Sequence, residues 1–236
     1  MYRKISIVCL LVSVTLLLSF DKNNSGTIPS KSKENHAGGW KTLFNGKDLT
    51  GWRTYQNKEQ NSWEVVDGQL HCKKDATKHC DILTLDEYDN FELEVDWKID
   101  KASNSGIIYR CNEKHGAPYE TGPEYQLIDD AGYPEKLEDW QKSGSDYAMH
   151  PPSKLAAKPA GEYNHTKIVV KGKHVEHWLN GVKVVEFEFW TPEWKKLKEA
   201  GKWKDEAEYG MLTKGHIDLQ DHGGGVWFKN IRVRSL

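Results

Sequence analysis

The stretch FELEVDWKID, residues 91–100, alternates apolar and charged side chains without a break. Successive side chains of a β-strand point to opposite faces, so a period of two predicts a strand with one buried face and one polar face. Strands of this one-sided kind are typical of antiparallel sheets. The segment therefore predicts an antiparallel sheet, and its charged residues are interpreted as the solvated face.

A second pattern predicts a β-hairpin. Asn180-Gly181 separates the strand-like segments 167–179 and 182–187, and Asn-Gly can adopt the two positive φ angles of a type I′ turn. One helix is predicted over 191–200, with a threonine cap, a proline in the first turn and a glycine at the end. Further strands are predicted at 62–66, 69–72, 107–111, 125–128, 217–221 and 226–234. So many short strands with almost no helix between them indicate an all-β sandwich.

Composition excludes two broad classes of protein. The chain has 236 residues, with 33 Lys and Arg against 35 Asp and Glu, a formal net charge of -2. This balance lacks the positive charge that a nucleic-acid-binding protein needs to neutralise phosphates. Charged residues make up 29% of the chain and the mean hydropathy is -0.75, which excludes a polytopic membrane protein. The 10 Trp, 10 Tyr and 6 Phe supply large apolar surfaces for a core or a binding face.

The first 39 residues predict a leader and a tether. Residues 1–20 begin with a basic group and continue apolar from Ile5 to Leu18, the pattern of a secretory signal peptide. The apolar run is shorter than the ~20 residues that cross a bilayer, so no membrane span is expected after leader removal. Residues 21–39 are polar and lack periodicity, which predicts a flexible tether before one domain at 40–236. In an exported chain, Cys72–Cys80 is the favoured disulfide among three remaining cysteines.

Polar residues concentrate at the ends of several predicted strands. Alternation places Glu124 and Gln126 on one face of their strand, and Gln220 and His222 on one face of another. Charges at alternate strand positions are usually only a solvated face, but polarity at both ends of strand 124–128 favours a site. His222 precedes three glycines, where backbone can approach a ligand closely. The four segments in which polar residues concentrate are NSGIIYR (104–110), GPEYQLIDD (122–130), HWLNG (177–181) and HIDLQDHG (216–223).

Several blocks carry a resemblance to a known family, and they occur in the family's order. Over about residues 40–236 the chain resembles the former DUF1080 family, now described as 3-keto-disaccharide hydrolases, or 3-keto-glucoside 1,2-lyase/3-keto-2-hydroxyglucal hydratases. One departure is Tyr163, where a tryptophan is commoner. The blocks are WKTLFNGKDLTGW (40–52), WEVVDG (63–68), NSGIIYR (104–110), GPEYQ (122–126), PAGEYN (159–164), WLNG (178–181), GHIDLQDHG (215–223) and FKNIR (228–232).

The resemblance implies a concanavalin A-like (lectin/glucanase) β-sandwich with a jelly-roll topology and a sugar-binding face. It also implies export to the periplasm or cell surface of a bacterium. The expected substrate is a small-molecule carbohydrate, a 3-keto-glycoside, whose glycosidic bond is cleaved by removal of the C2 proton, elimination and hydration. An oxidoreductase that forms the 3-keto group is then an expected functional partner.

Such chemistry needs an acid, a base and a group that stabilises an enolate. Glu124 and His222 are the candidates for proton transfer, and Arg110 is the candidate for enolate stabilisation because a guanidinium stays cationic. The residues expected to bind substrate are Asn104, Tyr109, Gln126, Asp129, Trp140 and Gln220.

A divalent metal ion at the ketone oxygen is an open alternative, with Glu124, Asp129 and His222 as its expected ligands. Two other functions also stay open. A non-catalytic, lectin-like carbohydrate-binding module would use the same fold and aromatic residues. A conventional glycoside hydrolase would need two carboxylates flanking an unoxidised linkage, for which Glu124 with Asp129 or Asp221 are the available residues.

Overall fold

A computed structural model describes residues 39–236, which form two antiparallel β-sheets and one α-helix. The predicted signal peptide (1–20) and all but the last residue of the predicted tether (21–39) lie outside this range. The elements are β1 (Lys41–Thr42), β2 (Trp52–Thr54), β3 (Trp63–Val66), β4 (Gln69–Cys72), β5 (Ile82–Thr84), β6 (Phe91–Ile99), β7 (Asn104–Cys111), β8 (Glu124–Ile128), β9 (Asn164–Lys171), β10 (His174–Leu179), β11 (Val182–Glu188), α1 (Pro192–Ala200), β12 (His216–Leu219) and β13 (Val226–Ser235).

The two sheets differ in size and share one hydrophobic core. The larger sheet has the order β11-β10-β9-β6-β13-β4-β3, and β1 also pairs with β13. The smaller sheet has the order β2-β5-β12-β7-β8. Apolar side chains from β6 and β13 of the larger sheet and from β7, β8 and β12 of the smaller one belong to the same buried cluster. The predicted all-β sandwich with one helix is confirmed.

Strand β6 is the centre of the larger sheet and follows the alternation of its sequence. Its odd-numbered residues from Phe91 to Ile99 are buried in the core at 0–2% exposure. Its charged residues lie on the outer face, where Glu92, Glu94 and Asp96 are opposite basic residues of β13. The strand therefore has the buried and polar faces that its period of two predicts.

Segment 167–179, predicted as one strand, is two strands in the structure. The chain turns at Gly172-Lys173, with Gly172 at φ +62°, and β9 then pairs antiparallel with β10. The Asn180-Gly181 hairpin is confirmed between β10 and β11, with positive φ at both turn residues. Three strands, β1, β2 and β5, have only two or three residues each, which is too short for an alternating pattern to predict them.

The predicted helix is present as α1. The hydroxyl of Thr191 accepts a hydrogen bond from the backbone N–H of Trp194 at 3.2 Å, which is the contact expected of a helix cap. Trp194 is buried in the core. No helix within residues 39–236 is long and apolar enough to cross a membrane.

The expected disulfide is not formed. Cys72, Cys80 and Cys111 are all buried free thiols. Burial raises the pKa of each of these thiols, which keeps them in the protonated, less reactive form.

A long segment covers the free edge of β8 and brings aromatic residues beside it. The backbone N–H of Tyr147 donates to the carbonyl of Glu124 at 3.0 Å, and the N–H of Gly144 donates to the carbonyl of Gln126 at 2.9 Å. These bonds satisfy groups that an edge strand would otherwise leave unpaired. The segment 132–162 is thus attached directly to the strand that carries Glu124.

Candidate active site

Polar side chains lie on the outer face of the smaller sheet, the face turned away from the core. Residues Leu83, Asp218, Ile108 and Glu124 are consecutive partners across β5, β12, β7 and β8. Aligned residues of neighbouring strands point to the same face. Asp218 and Glu124 are two strands apart, so their Cα atoms are separated by about 10 Å. The row has one acid on each side of Ile108.

The position of the Glu124 carboxyl depends on a glycine in the neighbouring strand. A Cβ atom placed on Gly106 would lie 2.3 Å from Oε1 of Glu124, well inside any contact distance. The Glu124 side chain therefore occupies the space that a side chain at position 106 would fill. Gln126, the partner of Gly106 in the sheet, is also buried, and its Oε1 accepts a hydrogen bond from the N–H of Leu127.

Beside this row, several buried oxygens accept no hydrogen bond from the described residues. They are Oδ1 of Asn104, both carboxyl oxygens of Asp218 and Oε1 of Gln220. Asp218 is fully buried and Gln220 is 7% exposed. A buried acceptor left unpaired costs about 1–3 kcal/mol, so a cluster of them is expected where a ligand supplies the donors. The hydroxyl groups of a sugar are donors of this kind.

Burial makes the acids of this face weak. It raises the pKa of Glu124 to about 8, and the negative charges of Asp81 and Asp146 add to the effect while the Lys202 ammonium opposes it. Burial also raises the pKa of Asp218 well above its usual value, and that of Asp81 to about 7. Near neutral pH, Glu124 is therefore protonated and able to donate a proton.

Aromatic side chains form a wall on the β8 side of the site. Trp140 meets Tyr147 edge-on with ring centroids 5.3 Å apart, and Trp203 lies 6.4 Å from Tyr147 and 6.1 Å from Tyr119. The indole N–H of Trp203 donates to the carbonyl of Tyr147 at 3.1 Å. Because the backbone N–H of Tyr147 donates a hydrogen bond to the backbone carbonyl of Glu124, this aromatic wall lies next to Glu124.

The opposite rim is built around Asp221. Its side chain is fully buried and lies 2.8 Å from Nδ1 of His79, while the N–H groups of Cys80 and Gly223 donate to it. The backbone N–H of Asp221 in turn donates to the carboxyl of Asp81 at 2.7 Å. His222 follows on this rim and is exposed.

Comparison with known proteins places these residues in a family. A family profile described as a 3-keto-alpha-glucoside-1,2-lyase-like domain matches residues 39–234, nearly all of the described range. The chain belongs to this family. It is 34% identical over 230 residues to the 3-keto-disaccharide hydrolase of Bacteroides thetaiotaomicron, covering 85% of this chain and 79% of that protein. The resemblance to the DUF1080 family is thereby confirmed.

Solved structures agree with this membership. A Parabacteroides distasonis protein assigned as a glycosyl hydrolase is 42% identical, with a TM-score of 0.80 over 87% of this chain and 97% of that one. The laminarinase of Flavobacterium sp. UMI-01 is only 12% identical, with a TM-score of 0.52 over 83% of this chain and 98% of that one. This second likeness concerns the fold alone, and it confirms the predicted glucanase-type jelly roll.

In this 3-keto-glucoside lyase-like domain, the outer face of the smaller sheet brings together Glu124, Gln126, Asn104 and Gln220. Trp140 lies in the aromatic wall and His222 on the opposite rim. These six positions agree with a shared site, and their roles remain predictions.

Two expected site residues lie elsewhere. Tyr109 is fully buried between the sheets, where its hydroxyl lies 3.0 Å from Nε2 of His177, so it cannot stack on a sugar. Arg110 has φ +50° at an irregularity in the pairing of β7 with β12, and its guanidinium donates to the carbonyls of Asp89 and Gly172. These hydrogen bonds hold the guanidinium away from the outer face of the smaller sheet. The predicted role of Arg110 in enolate stabilisation is therefore wrong.

Asp129 and the expected metal set also need correction. The Asp129 carboxyl accepts hydrogen bonds from the N–H groups of Ala102 and Gly132 and so stabilises two turns. Glu124, Asp129 and His222 do not converge on a common point. Among the described residues, three metal-ligand atoms lie within 4.8 Å of one another only at His174, Glu176 and Glu186 on the larger sheet. Lys183 already forms ion pairs with both glutamates there.

Sequence reasoning gave no role to Asp81, Asp218, Tyr147, Trp203 and Lys202, although Asp218 lies within the polar cluster 216–223. For Asp218 the signal was available, because it alternates with Gln220 on the strand that ends at the site. Asp81 likewise precedes Leu83 by two residues and shares its face. The other three come from connecting segments, where no period indicates which side chains reach the sheet.

Proposed function

We propose that this protein is an exported carbohydrate-active enzyme that cleaves the glycosidic bond of 3-keto-glucosides and 3-keto-disaccharides. Family membership and the names of the relatives support a carbohydrate substrate. The observation that carries the proposal is the buried Glu124 carboxyl, protonated near neutral pH and lying beside unpaired buried oxygens. This combination suits an acid that acts on a bound sugar.

The reaction uses the ketone at C3. A base removes the C2 proton, and the electron pair of the C–H bond passes into the ring to give an enolate whose charge rests on the C3 oxygen. When the ketone re-forms, a C1–C2 double bond forms and the bond from C1 to the aglycone oxygen breaks. That oxygen takes a proton from an acid. Water then adds across the double bond, with OH at C1 and H at C2, so the net reaction is hydrolysis.

Glu124 is the acid for the leaving oxygen in this proposal, because a carboxyl with a pKa of about 8 holds its proton at neutral pH. His222 is the base for the C2 proton, since an imidazole ring on an exposed rim can accept a proton and pass it to solvent. Asp218, Asn104 and Gln220 accept hydrogen bonds from sugar hydroxyls. Trp140 and Tyr147 offer ring faces to the sugar or its aglycone.

The test is to incubate the purified protein with a 3-keto-glucoside and, separately, with the parent glucoside. Release of the aglycone and appearance of the unsaturated glucal are followed in D₂O, with and without a chelator. We expect release only from the keto substrate, with deuterium at C2 of the product. Glu124→Gln should lower turnover about 10²–10⁴-fold, whereas the control Glu94→Gln, on the other sheet, should leave it unchanged.

Other outcomes identify the competing functions. Equal cleavage of the parent glucoside without deuterium at C2 would indicate a conventional glycosidase. Saturable binding of an unoxidised glycan with no product from either substrate would indicate a binding module. Loss of turnover on chelation would require a metal ion that the expected ligand set does not provide.

Export and an oxidoreductase partner complete the proposal. The basic start and apolar run of residues 1–20 support export, and the requirement for a ketone at C3 implies an enzyme that oxidises the glucoside first. A fusion of residues 1–39 to a reporter, assayed for secretion, checks the first of these.

A further inference from the structure

The proposed chemistry places negative charge on the C3 oxygen of the substrate, and a group must stabilise it there. The two arginines of the smaller sheet are committed elsewhere. Arg110 donates to backbone carbonyls, and Arg53 forms a two-pronged ion pair with Glu113. Neither guanidinium is free to meet a developing oxyanion beside Glu124.

Lys202 lies in the aromatic wall of the site. Its Nζ is 4.6 Å from the ring centroids of both Tyr147 and Trp203, and 5.7 Å from that of Tyr119. An ammonium within about 6 Å of a ring face is attracted by the negative face of the ring. Three rings therefore hold one flexible side chain in a defined position.

This position is next to the acid. The indole N–H of Trp203 donates a hydrogen bond to the carbonyl of Tyr147. The backbone N–H of Tyr147 in turn donates one to the carbonyl of Glu124. Lys202 is the residue before Trp203 and shares this attachment. Its charge and that of an ionised Glu124 act on each other: the ammonium lowers the pKa of Glu124, and the carboxylate raises that of Lys202.

Lys202 also lacks a carboxylate partner of its own. No ion pair involves it in the part of the chain that the structure describes, although Lys41, Lys78, Lys142 and Lys183 all form one. Lys202 is exposed as a residue, like Lys204, but contact with the rings removes part of the hydration of its ammonium and lowers its pKa. A positive charge held in this way is ready to interact with an anion that forms during a reaction.

We propose that Lys202 is the oxyanion-binding residue of this site, and that its ammonium donates a hydrogen bond to the enolate oxygen at C3 of the substrate. The inference rests on the proposed function. In the elimination, the C–H electron pair at C2 forms the C2–C3 double bond and the carbonyl electron pair moves onto the C3 oxygen. The ammonium stabilises that charge until the ketone re-forms and the aglycone leaves. Lys202 itself neither gains nor loses a proton.

Three variants test this assignment on a 3-keto-glucoside. Lys202→Met removes the charge, Lys202→Arg keeps it, and Lys204→Met is the matched control, an exposed lysine two residues away. We expect Lys202→Met to lower kcat about 10²–10³-fold with little change in KM, because an oxyanion exists only beyond the ground state. Lys202→Arg should restore part of the loss, and Lys204→Met should match the wild type. Thermal melting confirms that each variant folds.

The pH profile adds a measurement that a purely structural role would not alter. Glu124 is influenced by Lys202, Asp81 and Asp146, and it must be protonated to act as the acid. Activity therefore falls as the pH rises through the pKa of Glu124. Removing the Lys202 charge should move this alkaline limb to higher pH in Lys202→Met and leave it in place in Lys202→Arg.

A binding measurement separates failure of this inference from failure of the proposed function. Ascorbate, whose ring carries an ionised ene-diol at neutral pH, serves as an enolate mimic. Calorimetry should show binding that weakens about 10-fold or more in Lys202→Met and stays unchanged in Lys204→Met. Lys202-dependent ascorbate binding without turnover of any 3-keto-glucoside would overturn the function but keep the oxyanion site. Normal turnover and ascorbate binding in Lys202→Met would overturn the assignment of Lys202.

Discussion

The outer faces of the two sheets both carry acidic side chains, but these are paired on the larger sheet and, within the described residues, unpaired on the smaller one. On the larger sheet, Glu94 is paired with Arg232, and Asp96 lies within hydrogen-bond distance of His165 and Asn230. On the smaller sheet, both oxygens of Asp218 accept no hydrogen bond from the described residues, and Glu124 holds its proton near neutral pH. Acids on the first face are neutralised by neighbouring strands, whereas acids on the second are left for a ligand.

The contrast also shows why an open groove is a poor guide to function here. A groove of about 750 Å³ runs over the outer face of the larger sheet, lined among others by Glu94, Asp96 and His165. These side chains already bond to one another or to β13, so a ligand would have to compete with them. The outer face of the smaller sheet instead carries the buried oxygens of Asn104, Asp218 and Gln220 that lack a partner among the described residues. This cluster of free acceptors, rather than an open volume, points to the candidate site.

The largest expected difference between the faces is in how stability depends on pH. Folding raises the pKa of Glu124 from 4.5 to about 8, so the folded state binds more protons between these values and stability falls as the pH rises through them. In Glu124→Gln, the loss of unfolding free energy between pH 5 and pH 9 should be smaller than in wild type by on the order of 2–4 kcal/mol. Urea unfolding at the two pH values measures it.

Glu94→Gln serves as the control for this comparison and should keep the wild-type slope. Asp81 and Asp218 also have raised pKa values, so Glu124→Gln is expected to retain a residual slope of the same sign. An unaltered slope in Glu124→Gln would mean that Glu124 is not buried in its acid form.

A smaller effect is expected from crowding the acid. In Gly106→Ala the new Cβ atom would lie 2.3 Å from Oε1 of Glu124, so the carboxyl must move. A misplacement of about 1 Å can lower a rate about 100-fold, and we expect a loss of that size in kcat/KM on a 3-keto-glucoside. In a Glu124→Gln background the same substitution should cause little further loss, since the two changes act through one group. Independent, multiplicative losses would argue against that link.

The smallest effect is expected on the larger sheet. Arg232 is about half exposed, and its pair with Glu94 is of the kind that contributes about 0.2–1 kcal/mol. Glu94→Gln and Arg232→Gln should each change the unfolding free energy within that range, and a double-mutant cycle should assign most of the change to the pair. Turnover should be unaffected. A loss of activity in either variant would place function on both faces.

The strands were predictable where one face is buried, and less so where the chain turns without a strong turn signal. Strand β6 follows directly from its alternation. Segment 167–179 is one continuous pattern in the sequence, and only the positive φ of Gly172 reveals the turn that divides it.

The site residues were likewise predictable where they lie on regularly alternating strands, and not where the pairing is irregular or the residue lies in a connecting segment. Alternation places Glu124 and Gln126 together, and it also places Tyr109 on the inner face once Gly106 and Ile108 are assigned to the outer one. The error at Arg110 has a different origin, because the irregular pairing and positive φ at the end of β7 turn its side chain away. The position of Lys202 depends on a segment far along the chain, and no local pattern contains that information.

Strand β13, the last along the chain, has a consequence for the order of folding. It pairs with β6 on one side and β4 on the other, and β1 also pairs with it. Until β13 has been synthesised, β3–β4 and the group formed by β6, β9, β10 and β11 are separate sheets with open edges. The two halves are joined only by the final ten-residue strand, and such long-range pairing is slow. The larger sheet is therefore joined into one only after β13 has emerged, later than every other strand of the domain.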